Sequence, residues 1–470
     1  MRRAKIVCTL GPASSGVEAI KRLIDAGMDV ARLNFSHGDH DGHRKKADDV
    51  RTAARQAGKV VGILADLSGP KIRIGVLPGD AVELAHGVEF SFVAAPGVST
   101  DKAVSITYPP LVQELQLGDA VFADDGMLQF QVHDIEPGVI HCRVVDGGIL
   151  RSKKGLNATR AGVSAAGVTD KDRVDIEFGQ QIGVDYFGLS FVRSADDVNL
   201  AKELAGDIPV VAKIEKPQAI ENLEAVADAA DGMMVARGDL AVELGAEKVP
   251  VQQKRMIRLM NARAKPVIVA TQMLESMTAN PRPTRAEVSD VANAVIDGAD
   301  ALMLSAETAT GKYPSEAVRT MARIIEEVEV STDSTLQSAM LKPTSQAAFE
   351  HAAAHAAARA AIDLDLKAVV VYSASGRSVS YVSAFRPESA ILGFSPNAKV
   401  LSRMPILWGV RPVSIDRVES PESAIKQVER RLLDEGLASA GDQAAMVLGF
   451  DISKPAGSTT LQIWKVGGGQ

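Results

Sequence analysis

Apolar residues in this chain come in short blocks, and most blocks end in polar or charged residues. Residues 4–10 form the first run, stopped by Gly11 and Pro12. Residues 16–26 have helical spacing and stop at Gly27. A second run at 28–34 leads into Arg32-Leu33-Asn34-Phe35-Ser36-His37-Gly38. A charged helix to about Ala57 precedes a third run at 60–66, closed by Ser68-Gly69-Pro70. After a long interruption the alternation resumes, with runs at 184–190, 209–215, 232–237, 266–271 and 300–305. Strands alternating with helices predict a parallel sheet. Eight such units predict a (β/α)8 barrel, whose chemistry sits at the C-terminal ends of the strands.

The interruption has a different period. From Lys71 to about Gly167 short β-like runs are punctuated by Gly79-Asp80, Gly118-Asp119, Asp125-Gly126 and Gly147-Gly148, with no long helical period. This predicts a small inserted β-barrel domain at 71–167, with the catalytic barrel made of 1–70 and 168–342. Residues 321–340 read as a polar helix and linker, and an α/β domain at 343–470 follows. It opens with an Ala-rich helix at 347–362 and a strand over 367–372. Further runs at 390–394, 410–415, 444–449 and 459–466 complete a five-stranded sheet.

The strand ends carry the chemistry. Val210-Val211-Ala212-Lys213-Ile214-Glu215-Lys216 starts apolar and ends charged. Alternate strand residues share a face, so Lys213 and Glu215 point to one spot. Taken alone, the pair reads more readily as a surface salt bridge. The next run, 232–237, leads into Arg237-Gly238-Asp239-Leu240. Glu215 and Asp239 together suit one divalent cation with oxygen ligands and open positions for water or substrate. Lys213 beside that cation suits a transferring phosphoryl group. Arg32, Asn34, Ser36, Asp66, Ser190, Thr271 and Glu307 fall at the same rim, which favours a site over a surface ion pair.

Composition narrows the class. The 470 residues are 46% hydrophobic and 24% charged, as in ordinary globular chains. A net charge of -7 argues against a nucleic-acid binder. Cys8 and Cys142 form no CxxC pair and read as reduced thiols of a cytoplasmic protein. The N-terminus lacks the apolar core of a signal peptide, and no run is long enough to span a membrane.

Other motifs admit two readings. No G-x-x-x-x-G-K-[ST] loop is present, so phosphates need another cradle. Arg32 and Arg73 offer guanidinium forks, or pair with local carboxylates. Lys153-Lys154-Gly155 suits a lid closing over polyphosphate, or a solvated loop. His351 and His355, four apart, lack the adjacent Glu of a zinc protease. Thr284-Arg285-Ala286-Glu287 reads as a helix capping box. Ser373-Ala374-Ser375-Gly376-Arg377-Ser378, between strand and helix, reads as an anion site or a plain N-cap.

Along essentially its whole length the chain resembles the pyruvate kinases. The resemblance rests on KIVCTLGP (5–12), AGMDVARLNFSHG (26–38), GPKIR (69–73), KKGLN (153–157), AKIEKPQAIENL (212–223), DGMMVARGDL (231–240), ATQMLESM (270–277) and the long segment 280–314. It implies phosphoryl transfer from phosphoenolpyruvate to ADP, giving pyruvate and ATP, in a cytoplasmic homotetramer. By the same resemblance Glu215 and Asp239 hold Mg2+ or Mn2+, and Lys213 contacts the phosphoryl group. Arg32 binds the phosphate side, and Gly238 and Asp239 bind the substrate carboxylate. Thr271 lies near the enolate. Arg73, His37, Asn34, Lys153 and Lys154 serve the nucleotide. Asn34, Ser36 and Asp66 match monovalent-cation ligands. Lys71 stands where K+-dependent members have Glu, so K+ is expected to be dispensable. Asn157 is followed by Ala-Thr-Arg rather than the family's Leu-Pro-Gly. A sugar-phosphate or nucleotide effector is expected at Ser373, Ser375, Arg377 and Ser378, with a second arm near 457–460. Two alternatives stand beside this: another Mg2+-dependent enolpyruvate barrel enzyme, such as a mutase or aldolase, and a catalytically silent relative.

Overall fold

A computed structural model describes residues 2–124, 126–158, 166–331, 348–418, 420–449 and 458–468. The eight predicted runs are the eight strands of one closed parallel barrel. In order around it they are Lys5–Thr9, Val30–Asn34, Gly62–Asp66, Tyr186–Leu189, Val210–Ile214, Gly232–Ala236, Val267–Ala270 and Ala301–Leu304, the last closing on the first. Strands of a parallel barrel are covered on both faces, by the interior and by helices, which is why these runs are almost continuously apolar. The whole of Val210–Ile214 is buried, Lys213 included. The helix predicted at 16–26 spans Val17–Ala26, and Gly27 caps it at φ 126°, a conformation open to glycine.

The insertion leaves the barrel at Gly69, whose φ is +62° and where a Cβ would sit 2.9 Å from Ser190 and Phe191. Asp172, in the first turn of the helix Asp170–Gln181, accepts the N–H of Gly69 at 3.1 Å and that of Thr169 at 2.9 Å. One carboxylate therefore ties the segment leaving the barrel to the start of the helix Asp170–Gln181. The insertion has a six-stranded and a two-stranded sheet. Its own core is built on Phe90, Phe92 and Phe130, with ring centroids 5.1–5.9 Å apart. A short helix, Leu111–Glu114, follows Pro109 and Pro110, where β-like runs alone were expected.

The C-terminal sheet runs Val410–Ser414, Ala390–Ser395, Ala368–Tyr372, Gln443–Gly449, Ser458–Lys465, with only the last strand antiparallel. Val369 and Val371 join the hydrophobic core shared with the barrel, while Val370 and Tyr372 face a separate core. The two-residue period thus buries both faces. The Ala-rich helix is Ala348–Asp363, and a further helix, Pro421–Asp434, covers the far face. Two buried polar contacts fasten this domain beneath the barrel. Arg386 reaches Asp300 at 2.9 Å, and Lys5 donates to the Val410 carbonyl at 2.7 Å. His351 and His355 pack against the ring of Phe385, at 4.8 and 4.9 Å. The polar helix expected from 321 belongs to Pro314–Ser331, and the rest of that linker lies outside the described residues.

Candidate active site

Four charged side chains from the second, third and fifth strands meet at the C-terminal rim. Asp66 receives Arg32 Nε at 2.6 Å and Lys213 Nζ at 3.1 Å. Lys213 also contacts Glu215 at 3.0 Å and Ser190 Oγ at 2.6 Å. Arg32 donates to Thr9 Oγ1 at 3.0 Å. Charges therefore alternate along Arg32, Asp66, Lys213 and Glu215 in a buried row. Burial alone would raise the Asp66 pKa, but Arg32 and Lys213 hold it below the ordinary carboxylate value. Burial likewise opposes the Lys213 charge, and Asp66 and Glu215 more than restore it, so the ammonium persists. Glu215 is raised, first by burial and then by the like charge of Asp239, against the pull of Lys213.

Asp239 lies in the first turn of the helix Arg237–Leu244, and its carboxylate is 3.3 Å from the Lys71 ammonium. Two neighbouring carboxylates that repel one another fit a divalent cation. No cluster of three or more His, Cys, Asp or Glu converges among the described residues. Two carboxylates leave the other positions of a hard divalent cation open to water and substrate oxygens.

The Thr271 turn is strained. Thr271 has φ +71° and Gln272 +53°, values unfavourable for a β-branched residue. Arg237 holds it there by donating to the carbonyls of Ala270 at 3.2 Å and Thr271 at 2.6 Å, with Asp290 at 2.8 Å behind. The Thr271 hydroxyl accepts the Gly238 N–H at 2.8 Å. Thr271, Gly238 and Asp239 are thereby one unit.

On the lid side, Arg73 donates to the Lys153 carbonyl at 3.1 Å, and Lys154 pairs with Asp124 at 2.7 Å. Partial burial lowers the His37 pKa, and Arg73, Arg32 and Lys71 lower it further, which places His37 in the same basic basin. Asn34 sits opposite Asp66 in the strand register and accepts the Ser36 N–H at 3.1 Å.

Several contributors escaped the sequence. Phe191, at φ +56°, donates its N–H to Glu215 at 2.7 Å. Lys216 and Asn157 both bond Glu243. Glu307, read as rim chemistry, instead caps backbone: its two oxygens accept the N–H groups of Leu274 at 3.0 Å and Ser305 at 2.6 Å. Thr284 and Glu287 form the expected capping box.

In the C-terminal loop, Ser373 and Ser378 are buried, and Ser373 Oγ accepts the Gly376 N–H at 2.9 Å. Ser375 and Arg377 are exposed. They line a cavity of about 390 Å³ shared with Arg263, Lys265 and Arg403. The proposed second arm falls partly outside the described residues.

Residues 1–318 match the description of the pyruvate kinase barrel domain, and residues 351–464 that of the pyruvate kinase alpha/beta domain. The chain belongs to the pyruvate kinase family. It is 43% identical over 470 residues to the pyruvate kinase of Mycobacterium tuberculosis, covering 99% of each chain. With the pyruvate kinase of Geobacillus stearothermophilus it shares 41% over 467 residues, covering 98% of this chain and 79% of the relative. The crystal structure of a pyruvate kinase from Cryptosporidium parvum superposes with a TM-score of 0.92 at 34% identity, covering 99% of this chain and 96% of that one. Pyruvate kinase membership makes the chain a phosphotransferase of a family that generally uses a divalent metal. No described helix is long and apolar enough to cross a membrane.

Proposed function

We propose that this chain transfers the phosphoryl group of phosphoenolpyruvate to ADP, giving pyruvate and ATP. The observation that carries the reading is the buried Arg32–Asp66–Lys213–Glu215 row facing Asp239 at the barrel rim. Lys213 is held protonated where the phosphoryl group passes, and Arg32 is oriented by Asp66 to grip its oxygens. At the helix start Asp239 presents its backbone N–H to the substrate carboxylate, and Gly238 joins it once its N–H, accepted here by Thr271 Oγ1 at 2.8 Å, turns to substrate. Thr271, fixed by Arg237, stands beside the enolate carbon side. Glu215 and Asp239 would hold Mg2+ or Mn2+, which when bound neutralises developing charge on the transferring oxygens. Arg73, His37, Asn34, Lys153 and Lys154 receive the nucleotide under the lid.

Four finer readings accompany this one. Lys71 brings a fixed cation into the basin, and activity is independent of K+; Asn34, Ser36 and Asp66 are the positions a monovalent ion would otherwise use. Ser375 and Arg377 take an anionic effector, a sugar phosphate or nucleotide, in the cavity beside Arg263 and Arg403; Ser373 and Ser378 shape the loop. The enzyme works in the cytoplasm. It assembles as a homotetramer.

The test is a coupled assay of pyruvate formation with phosphoenolpyruvate, ADP and Mg2+, each omitted in turn. Pyruvate formation that requires all three supports the proposal. Turnover without ADP points to mutase or aldolase chemistry, and none with all three present to a silent relative.

A further inference from the structure

The helix Arg237–Leu244 carries a second acidic residue whose place the reaction does not explain. Glu243 lies four residues after Asp239, hence on the same helix face one turn on. It is buried, at 7% exposure. Its Oε1 accepts two donors from different parts of the molecule. Lys216 Nζ reaches it at 2.6 Å, and Asn157 Nδ2 at 3.0 Å. Lys216 directly follows Glu215 at the end of the fifth barrel strand, and Asn157 lies on the lid strand Leu156–Ala158. All three are 8% exposed or less. Oε2 of Glu243 is buried without a partner among the described residues.

An apolar side chain would fill this space with no charge to desolvate. A buried carboxylate with one unsatisfied oxygen is costly, and fixing the position of its partners is a use that offsets the cost. Here the partners are the strand end bearing Glu215, the helix bearing Asp239, and the lid. Another polar contact between the lid and this helix, Lys71 to Asp239, is longer at 3.3 Å and a quarter exposed at both ends. A cation on Asp239 competes with that contact, whereas Asn157–Glu243 stays available.

We propose that Glu243 is a positioning residue. Through Lys216 it sets the spacing between Glu215 and Asp239, and through Asn157 it latches the lid onto the same helix. The proposal rests on Glu215 and Asp239 being the divalent-ion carboxylates. Its two arms lead from one oxygen to two separate readouts. Mn2+ binding, followed by loss of the free-ion electron paramagnetic resonance signal, reports the first arm. Amide hydrogen exchange across the lid reports the second, and neither requires turnover.

The expected pattern is as follows. Asn157→Leu speeds exchange in the lid and leaves the Mn2+ Kd within about threefold. Lys216→Met weakens Mn2+ about tenfold and leaves lid exchange near wild type. Glu243→Gln, which keeps the shape and removes the charge, does both. A Glu243→Gln protein with Mn2+ Kd and lid exchange both within twofold of wild type overturns the proposal. So does lid exchange in the Asn157→Leu, Glu243→Gln double variant that equals the sum of two independent effects. Failure of the wild type to bind Mn2+ overturns the carboxylate assignment itself, and the lid exchange then still decides the Asn157 arm.

Discussion

Replacing Lys213 by methionine removes the central charge of the buried row while keeping an unbranched chain of similar reach. The ammonium is the shared partner of Ser190 at 2.6 Å, Glu215 at 3.0 Å and Asp66 at 3.1 Å. Asp66 keeps Arg32, and Glu215 keeps the Phe191 N–H at 2.7 Å. Neither carboxylate is stranded, so the stability cost falls below the ~3–5 kcal/mol typical of a broken buried pair. The catalytic cost is larger. Losing a preorganised charge contact to the transition state removes ~3–5 kcal/mol, and at ~1.4 kcal/mol per tenfold this lowers kcat roughly 100- to 4,000-fold. Without Lys213, Glu215 loses the charge that opposes the upward pull of burial and Asp239 on its pKa. The assay is coupled pyruvate formation at saturating substrates and Mg2+, with circular dichroism to verify folding. A folded Lys213→Met protein within tenfold of wild-type kcat would refute the assigned role.

Glu215→Gln should retain the fold and raise the Mg2+ concentration for half-maximal activity about tenfold or more; an unchanged requirement would remove Glu215 from the ion site. Wild-type activity should change less than tenfold when K+ and NH4+ are replaced by a bulky organic cation at constant ionic strength, and Lys71→Glu should acquire K+ dependence. Tenfold activation of the wild type by K+ would defeat that reading. Calorimetry should detect a sugar phosphate or AMP binding to wild type and weaker binding to Arg377→Ala; with no binding and unaltered kinetics, the loop has no effector role. His43 is held below its ordinary pKa chiefly by burial, against a hydrogen bond to the His37 carbonyl. The unfolded chain therefore takes the proton first, below about pH 6.5. The stability is fully present above that pH and is lost as pH falls through the lower folded value. The excess Tm of wild type over His43→Asn should shrink as pH drops below about 6.5, and a gap that widens would contradict the sign.

The barrel was legible because parallel strands must be apolar on both faces, so each appears as a short run with its functional residues at one end. Lys213, Glu215 and Asp239 stood out as candidates for that reason: Lys213 and Glu215 close one apolar block, and Asp239 follows another through Arg237-Gly238. The insertion showed itself by a loss of helical period. Other contributors carry no such signal. Phe191 acts through a backbone N–H aimed by a left-handed φ, and the sequence shows only an apolar residue after Ser190. Glu243 and Lys216 are 27 positions apart, and nothing local marks them as partners until the barrel closes. Arg386 and Asp300 fasten two domains across 86 positions for the same reason. Glu307 was misread because an acidic residue at a strand end looks alike whether it meets substrate or caps backbone.

The central claim is that the charged row and the Glu215–Asp239 pair move a phosphoryl group from phosphoenolpyruvate to ADP. The most direct measurement is phosphorus-31 nuclear magnetic resonance of the enzyme with phosphoenolpyruvate, ADP and Mg2+. The account predicts that the phosphoenolpyruvate resonance decays as the γ-phosphate of ATP grows in equal amount, with inorganic phosphate absent, and that Lys213→Met slows both at least a hundredfold. Decay into inorganic phosphate, or a rate unaffected by Lys213→Met, would contradict it.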